Sequence, residues 1–186
     1  MNRTKTRFDE VLIIEPEVIY DNRGFFMEVY RKSEFEQLGI STGFVQDNHS
    51  FTAAKGTIRG MHFQKNPMAQ CKLIRVVRGE ILSVVVDIRR GSSTFGRWIS
   101  VSMSAENKKQ LFVPGGFANG YCSLSDETDV CYRVDNYYAP EYDRAFRWDD
   151  PAVGIEWPVS DPILSERDRS APLLAEVDNN FVYEGK

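Results

Sequence analysis

Histidine is scarce in this sequence: among 186 residues there are two, His49 and His62. A zinc or iron centre of the usual multi-histidine kind would need both, and their spacing is not that of a metal pair, so no metal is expected. Cys71, Cys122 and Cys131 are an odd number without Cys-x-x-Cys spacing, which reads as reduced thiols in a cytoplasm. Long apolar runs are absent. Stretches such as Val84-Val85-Val86, between Ser83 and Asp87, are only a few residues long, so no membrane span is expected. The basic start Met1 to Phe8 has no apolar segment behind it, so no signal peptide is visible. Cationic blocks are missing too. With 23 Lys+Arg against 27 Asp+Glu the net charge is -4, which disfavours nucleic acid and anionic membranes as partners.

What is present fits one folded unit spanning residues 1–186, since repeats, low-complexity tracts and linkers are lacking. Ser33 and Glu36 have capping-box spacing ahead of Gly39, which predicts a short helix. Elsewhere the pattern is β. Strands are expected over Val11–Ile14 and, after the turn signal Asp21-Asn22-Arg23-Gly24, over Phe25–Tyr30. Leu73–Val77 and Ile81–Ile88 flank Arg78-Gly79-Glu80 and read as a hairpin. Further strands are expected at Trp98–Met103, Gln110–Val113, Gly120–Leu124 and Val130–Asn136, with Pro114-Gly115-Gly116 as a turn. A short helix is expected near Leu173–Glu176, in an otherwise irregular C-terminal part. Many short strands with little helix predict an all-β fold, a jelly-roll β-barrel.

Polar residues inside these strands are the informative ones. Alternation over Ile58–Gln64 sends Arg59, Met61 and Phe63 one way and Gly60, His62 and Gln64 the other. Lys72 opens the expected hairpin, and Tyr132 shares a face with Val130 and Val134. If His62, Lys72 and Tyr132 point into the barrel, they supply a base, a cation and a phenolic acid in one apolar cavity. That trio suits proton abstraction beside a carbonyl. The same residues also read as a hydrogen-bonded core histidine and an ordinary strand aromatic. Arg23 and Arg59 fit either a phosphate clamp or solvated surface positions. Cys71 beside Lys72 reads as a buried thiol rather than a nucleophile, and Pro114–Gly120 lacks the setting of a phosphate loop.

At these residues the chain resembles the dTDP-4-dehydrorhamnose 3,5-epimerases, metal-free enzymes of the cupin class. The matching blocks run in order through Arg23–Glu28, Phe44–Ser50, Arg59–Gln64, Lys72–Arg75, Val86–Arg89, Pro114–Ala118, Asn136–Pro140, Gly154–Pro158 and Leu164–Asp168. The resemblance implies a cupin-type jelly roll that uses no cofactor. It also implies a homodimer in which the N-terminal strands carrying Arg23 to Glu28 are exchanged. His62 matches the general base, Asp168 its dyad partner, Tyr132 the proton donor and Lys72 the lysine near the ketone oxygen. Arg23, Phe25, Glu28, Gln46, Asp47, Asn48, Arg59, Asp143 and Arg167 match positions that hold the nucleotide diphosphate. Tyr138 matches the aromatic that stacks on the base.

The chain departs from the family pattern at three places. Where the family reads Gly-Phe-Ala-His-Gly-Phe, this sequence has Gly116-Phe117-Ala118-Asn119-Gly120-Tyr121, and Ser83 stands where an aspartate is usual. Asn119 is a substrate-binding candidate that keeps a donor and an acceptor but cannot carry charge. The resemblance therefore implies epimerisation at C3, C5 or both of a nucleotide-linked 4-keto-6-deoxy sugar. A mono-epimerase, or one using a GDP- or CDP-linked sugar, is the alternative enzyme. A non-catalytic nucleotide-sugar-binding cupin is the alternative of another class, although His62 and Tyr132 are both kept. A metal-dependent cupin fits less well, because Gln64 and Asn119 stand where histidine ligands would be needed.

Overall fold

The computed structural model describes residues 1–185. Thirteen strands and two short helices are formed among them. The chain order begins β1 (Asn2–Lys5), β2 (Leu12–Glu15), β3 (Val18–Asp21), β4 (Gly24–Met27), α1 (Lys32–Gln37), β5 (Gln46–Thr52) and β6 (Ile58–Gln64). It continues with β7 (Lys72–Arg78), β8 (Glu80–Asp87), β9 (Trp98–Ser104), β10 (Gln110–Val113), β11 (Phe117–Ser123), β12 (Thr128–Val134), β13 (Asp143–Ala145) and α2 (Glu166–Arg169). No helix among the described residues is long and apolar enough to cross a membrane.

Two antiparallel sheets face each other, as the jelly-roll expectation requires. One has the order β1-β2-β10-β7-β12-β5, the other β13-β6-β11-β8-β9, and β3-β4 forms a separate hairpin arm. Ile74, Val76, Leu111 and Val130 of the first sheet pack between the layers against Ile81, Val85, Val101, Phe117 and Tyr121 of the second. A second apolar cluster lies on the other side of the five-stranded sheet. There Met61, Phe63, Val84 and Val86 meet Leu174, Val177 and Phe181 of the C-terminal segment. Strand β11 is therefore buried on both faces along its length, which explains a strand with no charged residue.

Several local expectations change in the folded chain. Leu73–Val77 and Ile81–Ile88 do not form a hairpin: β7 pairs with β10 and β12, while β8 pairs with β11 and β9. The chain crosses between sheets at Gly79, whose φ of +77° is a left-handed conformation that glycine adopts without strain. Alternating apolar residues face one core in either arrangement, so the pattern alone does not distinguish a hairpin from a corner. The Ser33 capping box is not used. Helix α1 starts two residues earlier, with Arg31 as N-cap and no side-chain cap, and Ser33 lies inside it. Leu173–Glu176 forms a turn rather than a helix, and the second helix is Glu166–Arg169, capped by Ser165.

Strict alternation in β6 also fails, and this positions the site. Asn119 pairs with His62 and Tyr121 with Arg59, so β6 contains one more residue than β11 between the two pairs. This bulge reverses the parity of the strand and brings Arg59 to the same side as His62. It is built on a close approach of two glycines. A Cβ on Gly60, at φ +149°, would lie 2.6 Å from Cα of Gly120.

Candidate active site

One end of the space between the sheets is a cavity of about 460 Å³. Arg59 and His62 of β6 and Asn119 and Tyr121 of β11 enter from one sheet. Lys72 of β7 and Tyr132 of β12 enter from the other, and Arg167 and Asp168 of α2 close the end. The structure thus brings His62, Lys72, Tyr132, Arg59, Asn119, Arg167 and Asp168 together, although the sequence scatters them over more than 100 positions.

His62 Nε2 lies 2.5 Å from Asp168 Oδ1. The carboxylate is fixed in turn, because its other oxygen accepts from the Gly60 N–H at 3.4 Å and its own N–H donates to the Ser165 hydroxyl at 3.1 Å. Burial pushes Asp168 up, but the His62 hydrogen bond and charge, with Ser165 and Gly60, outweigh it and hold the carboxyl below its ordinary value. Among the described residues His62 Nδ1 has no hydrogen-bond partner, and it is not sealed in, which leaves it available to a ligand. Ser165 was not anticipated as a site residue. Its signal was legible in Ser165-x-x-Asp168, an N-cap spacing.

Across the cavity, burial pushes the Lys72 ammonium down to about 8, with Asp143 opposing and Arg167 adding to the depression. Burial raises the Tyr132 phenol, and Tyr121 and Asp143 raise it further, so it keeps its proton. Tyr121, missed from sequence, donates to or accepts from Ser50 and Thr52 at 3.1 and 3.2 Å. Thr52 accepts from Arg59 Nε at 3.1 Å, and the Phe51 carbonyl accepts from the same guanidinium at 2.9 Å. These bonds fix the fork of Arg59 at the cavity wall.

A polar chain continues at the rim. Arg167 pairs with Asp143 at 2.9 Å, and Tyr138 donates its hydroxyl to Asp143 at 3.1 Å. The Tyr138 N–H reaches Gln46 Oε1 at 3.1 Å, and Gln46 donates to Asn48 at 2.8 Å. Four expected binding residues lie elsewhere. Arg23 and Phe25 sit on the β3-β4 arm, where Arg23 pairs with Asp21, while Glu28 pairs with Arg31; none lines this chain's own cavity. Asp47 faces away and pairs with Arg133 at 2.9 Å. His49 is likewise outside, bonded to Asp129 at 2.8 Å. Cys71 is free, and burial together with Asp135 pushes its thiol up to about 12, which suits the inert reading.

Comparison with known proteins agrees with this geometry. The sequence profile of the dTDP-4-dehydrorhamnose 3,5-epimerases matches residues 5–176. The chain is 48% identical to a dTDP-4-dehydrorhamnose 3,5-epimerase of Shigella flexneri over 179 residues, covering 96% of this chain and 98% of that one. It superposes on the crystal structure of the Bacillus anthracis enzyme with TDP and PPi bound at a TM-score of 0.91, with 49% identity over 92% of this chain and 98% of the other. On the Legionella pneumophila epimerase in complex with dTDP-4-keto-L-rhamnose the TM-score is 0.94, with 42% identity over 99% of each chain. On fold, cavity and sequence together, this chain belongs to the dTDP-4-dehydrorhamnose 3,5-epimerase family.

Proposed function

We propose that the protein epimerises C3 and C5 of dTDP-4-keto-6-deoxyglucose, giving dTDP-4-dehydrorhamnose, through enolate intermediates. The observation that carries this reading is the pairing of opposites across one cavity: the His62–Asp168 dyad on one side, Lys72 and Tyr132 on the facing sheet. The C4 ketone acidifies the hydrogens on both neighbouring carbons and is itself the electron sink. His62 takes the proton from carbon, and the electron pair moves onto the ketone oxygen as the enolate. Lys72 stabilises that oxygen as a cation fixed in a low-dielectric site. Tyr132 delivers a proton to the opposite face of the flat enolate, which inverts the carbon. His62 then releases its proton and Tyr132 regains one from solvent. Asp168 holds the imidazole tautomer and stabilises the imidazolium.

Arg59, Arg167, Asp143, Gln46, Asn48 and Tyr138 hold the nucleotide diphosphate in this reading, with the Tyr138 ring, 55% exposed, free to stack on a base. The arm supports the homodimer. Ile19, Tyr20, Phe25 and Phe26 are between 55% and 68% exposed on a two-stranded hairpin, and such a hairpin needs a partner surface to be stable. Docked on a second copy, it carries Arg23, Phe25 and Glu28 to the neighbour's cavity, with Asp47 contributing at the same junction. The free thiols fit a cytoplasmic setting.

Incubation with dTDP-4-keto-6-deoxyglucose in deuterated water tests the assignment, with deuterium expected at C3 and C5. Deuterium at one carbon only would make it a mono-epimerase. No exchange at either carbon would sink the reading.

A further inference from the structure

Asn119, on the cavity wall, and Ser83 of β8, behind it, touch each other. Asn119 Nδ2 donates to Ser83 Oγ at 3.2 Å, to the Val84 carbonyl at 3.0 Å and to the Gly120 carbonyl at 3.4 Å. Carbonyl oxygens only accept, so the amide cannot turn over without setting its own oxygen against two others. Its orientation is therefore fixed. Ser83, 1% exposed, completes the cradle from β8.

That leaves Asn119 Oδ1. It accepts no hydrogen bond among the described residues, yet it is not sealed in protein, and the side chain lines the cavity. Asn119 is also the register partner of His62 on the adjacent strand, so the two side chains stand next to each other on one wall. Lys72 stands on the opposite wall. One wall thus presents a group that only accepts hydrogen bonds, and the other a group that only donates them. A 4-keto sugar ring carries both kinds of partner: hydroxyl groups that donate, and a ketone that only accepts.

We propose that Asn119 is a specificity-determining residue, whose carboxamide oxygen accepts a hydrogen bond from a ring hydroxyl and so sets which edge of the sugar lies against His62. Ser83 is its positioning residue. The ketone is repelled from Asn119 and drawn to Lys72, which fixes the ring in one orientation. The inference rests on the nucleotide-sugar reading above. It makes the departures at positions 83 and 119 a single structural unit.

The test is calorimetric binding of dTDP, dTDP-L-rhamnose and its 2-deoxy and 3-deoxy forms to the full chain and to Asn119→Leu. One deoxy ligand is expected to bind about 10-fold more weakly than dTDP-L-rhamnose to the unaltered protein, and that difference disappears in the variant. Affinity for dTDP itself stays the same. Equal weakening of dTDP and dTDP-L-rhamnose in Asn119→Leu would overturn the proposal, since it marks a structural role. So would a deoxy penalty that persists in the variant. If Asn119→Leu does not fold, the unaltered protein still decides, because binding both deoxy ligands as tightly as the parent overturns the proposal. Ser83→Ala, which keeps both main-chain acceptors, is expected to reduce the deoxy penalty about threefold, and an unchanged penalty removes Ser83 from the unit. Absence of deuterium exchange in the unaltered protein would count against the epimerase reading while leaving these binding ratios readable.

Discussion

Asp168 Oδ1 stands 2.5 Å from His62 Nε2, although 106 residues separate the two in sequence. A four-residue helix, capped by Ser165, delivers the carboxylate to a strand of the five-stranded sheet. Asp168→Asn keeps the size and one acceptor but loses the charge that stabilises imidazolium. Turnover is expected to fall by about 100-fold or more, with little change in dTDP affinity. The carboxyl is held low, so its stabilising contribution is complete above the ordinary value of 3.8 and lost as pH falls through the lowered one. The melting-temperature gap between the two proteins is therefore expected to narrow on acidification towards pH 3.

Tyr132→Phe separates abstraction from delivery. His62 still removes the proton and can return one to the same face, so deuterium enters without inversion. Product formation is expected to drop by about 10²-fold or more. The ratio of exchange with retention to exchange with inversion, read by NMR, rises. A variant that inverts at the normal ratio would assign the proton donor elsewhere.

Lys72 sets the alkaline limit. In the proposed mechanism its ammonium, lowered by burial to about 8, is the form that stabilises the enolate, so activity is expected below that pH and its loss is expected above it. Beyond it kcat/KM, which reports groups of the unliganded protein, is expected to fall about tenfold per pH unit. Tyr132 keeps its proton through this window because its phenol is raised. Lys72→Met should be nearly inactive and flat over the same range, in a pH profile of initial rates.

The glycine crossing beneath His62 tolerates no side chain. A Cβ on Gly120 would lie 2.7 Å from Met61 Sδ and 2.9 Å from the Arg59 carbonyl, and one on Gly60 would meet backbone at 2.6 Å. Gly60→Ala is expected to cost about 2 kcal/mol or more, measured by urea denaturation. Any folded fraction should lose both kcat and dTDP affinity, because the bulge orients His62, the proposed base, and Arg59, a diphosphate ligand in the proposed reading.

The homodimer proposed above, with its arms exchanged, would predict complementation. Arg23→Ala and His62→Ala are each expected to be nearly inactive alone. In a hybrid dimer one cavity combines an intact His62 with the intact Arg23 of the other copy. Random reassociation then restores about a quarter of the normal activity. No recovery after mixing and refolding would place Arg23 in its own chain's site.

Much of this was legible in the residues. The regular spacing of short strands and turns implied the two-sheet fold, because period-two burial needs a facing layer. The matched blocks singled out His62, Lys72, Tyr132 and Asp168, which the fold brings to one cavity. Tertiary structure decided what local pattern could not. Alternation does not say whether β7 and β8 pair or face each other, and only the sheet order put them in opposite layers. It could not foresee the bulge at Gly60, which depends on contact with Gly120 and turns Arg59 towards His62. Nor could it show that Asn119 and Ser83 are one feature, since a hydrogen bond between strands is invisible until register is fixed. Residue order sets which groups are available and the hydrophobic period that makes sheets. The register and the bulge decided which of those groups share a cavity, because proximity between distant residues is a property of packing and not of order along the chain.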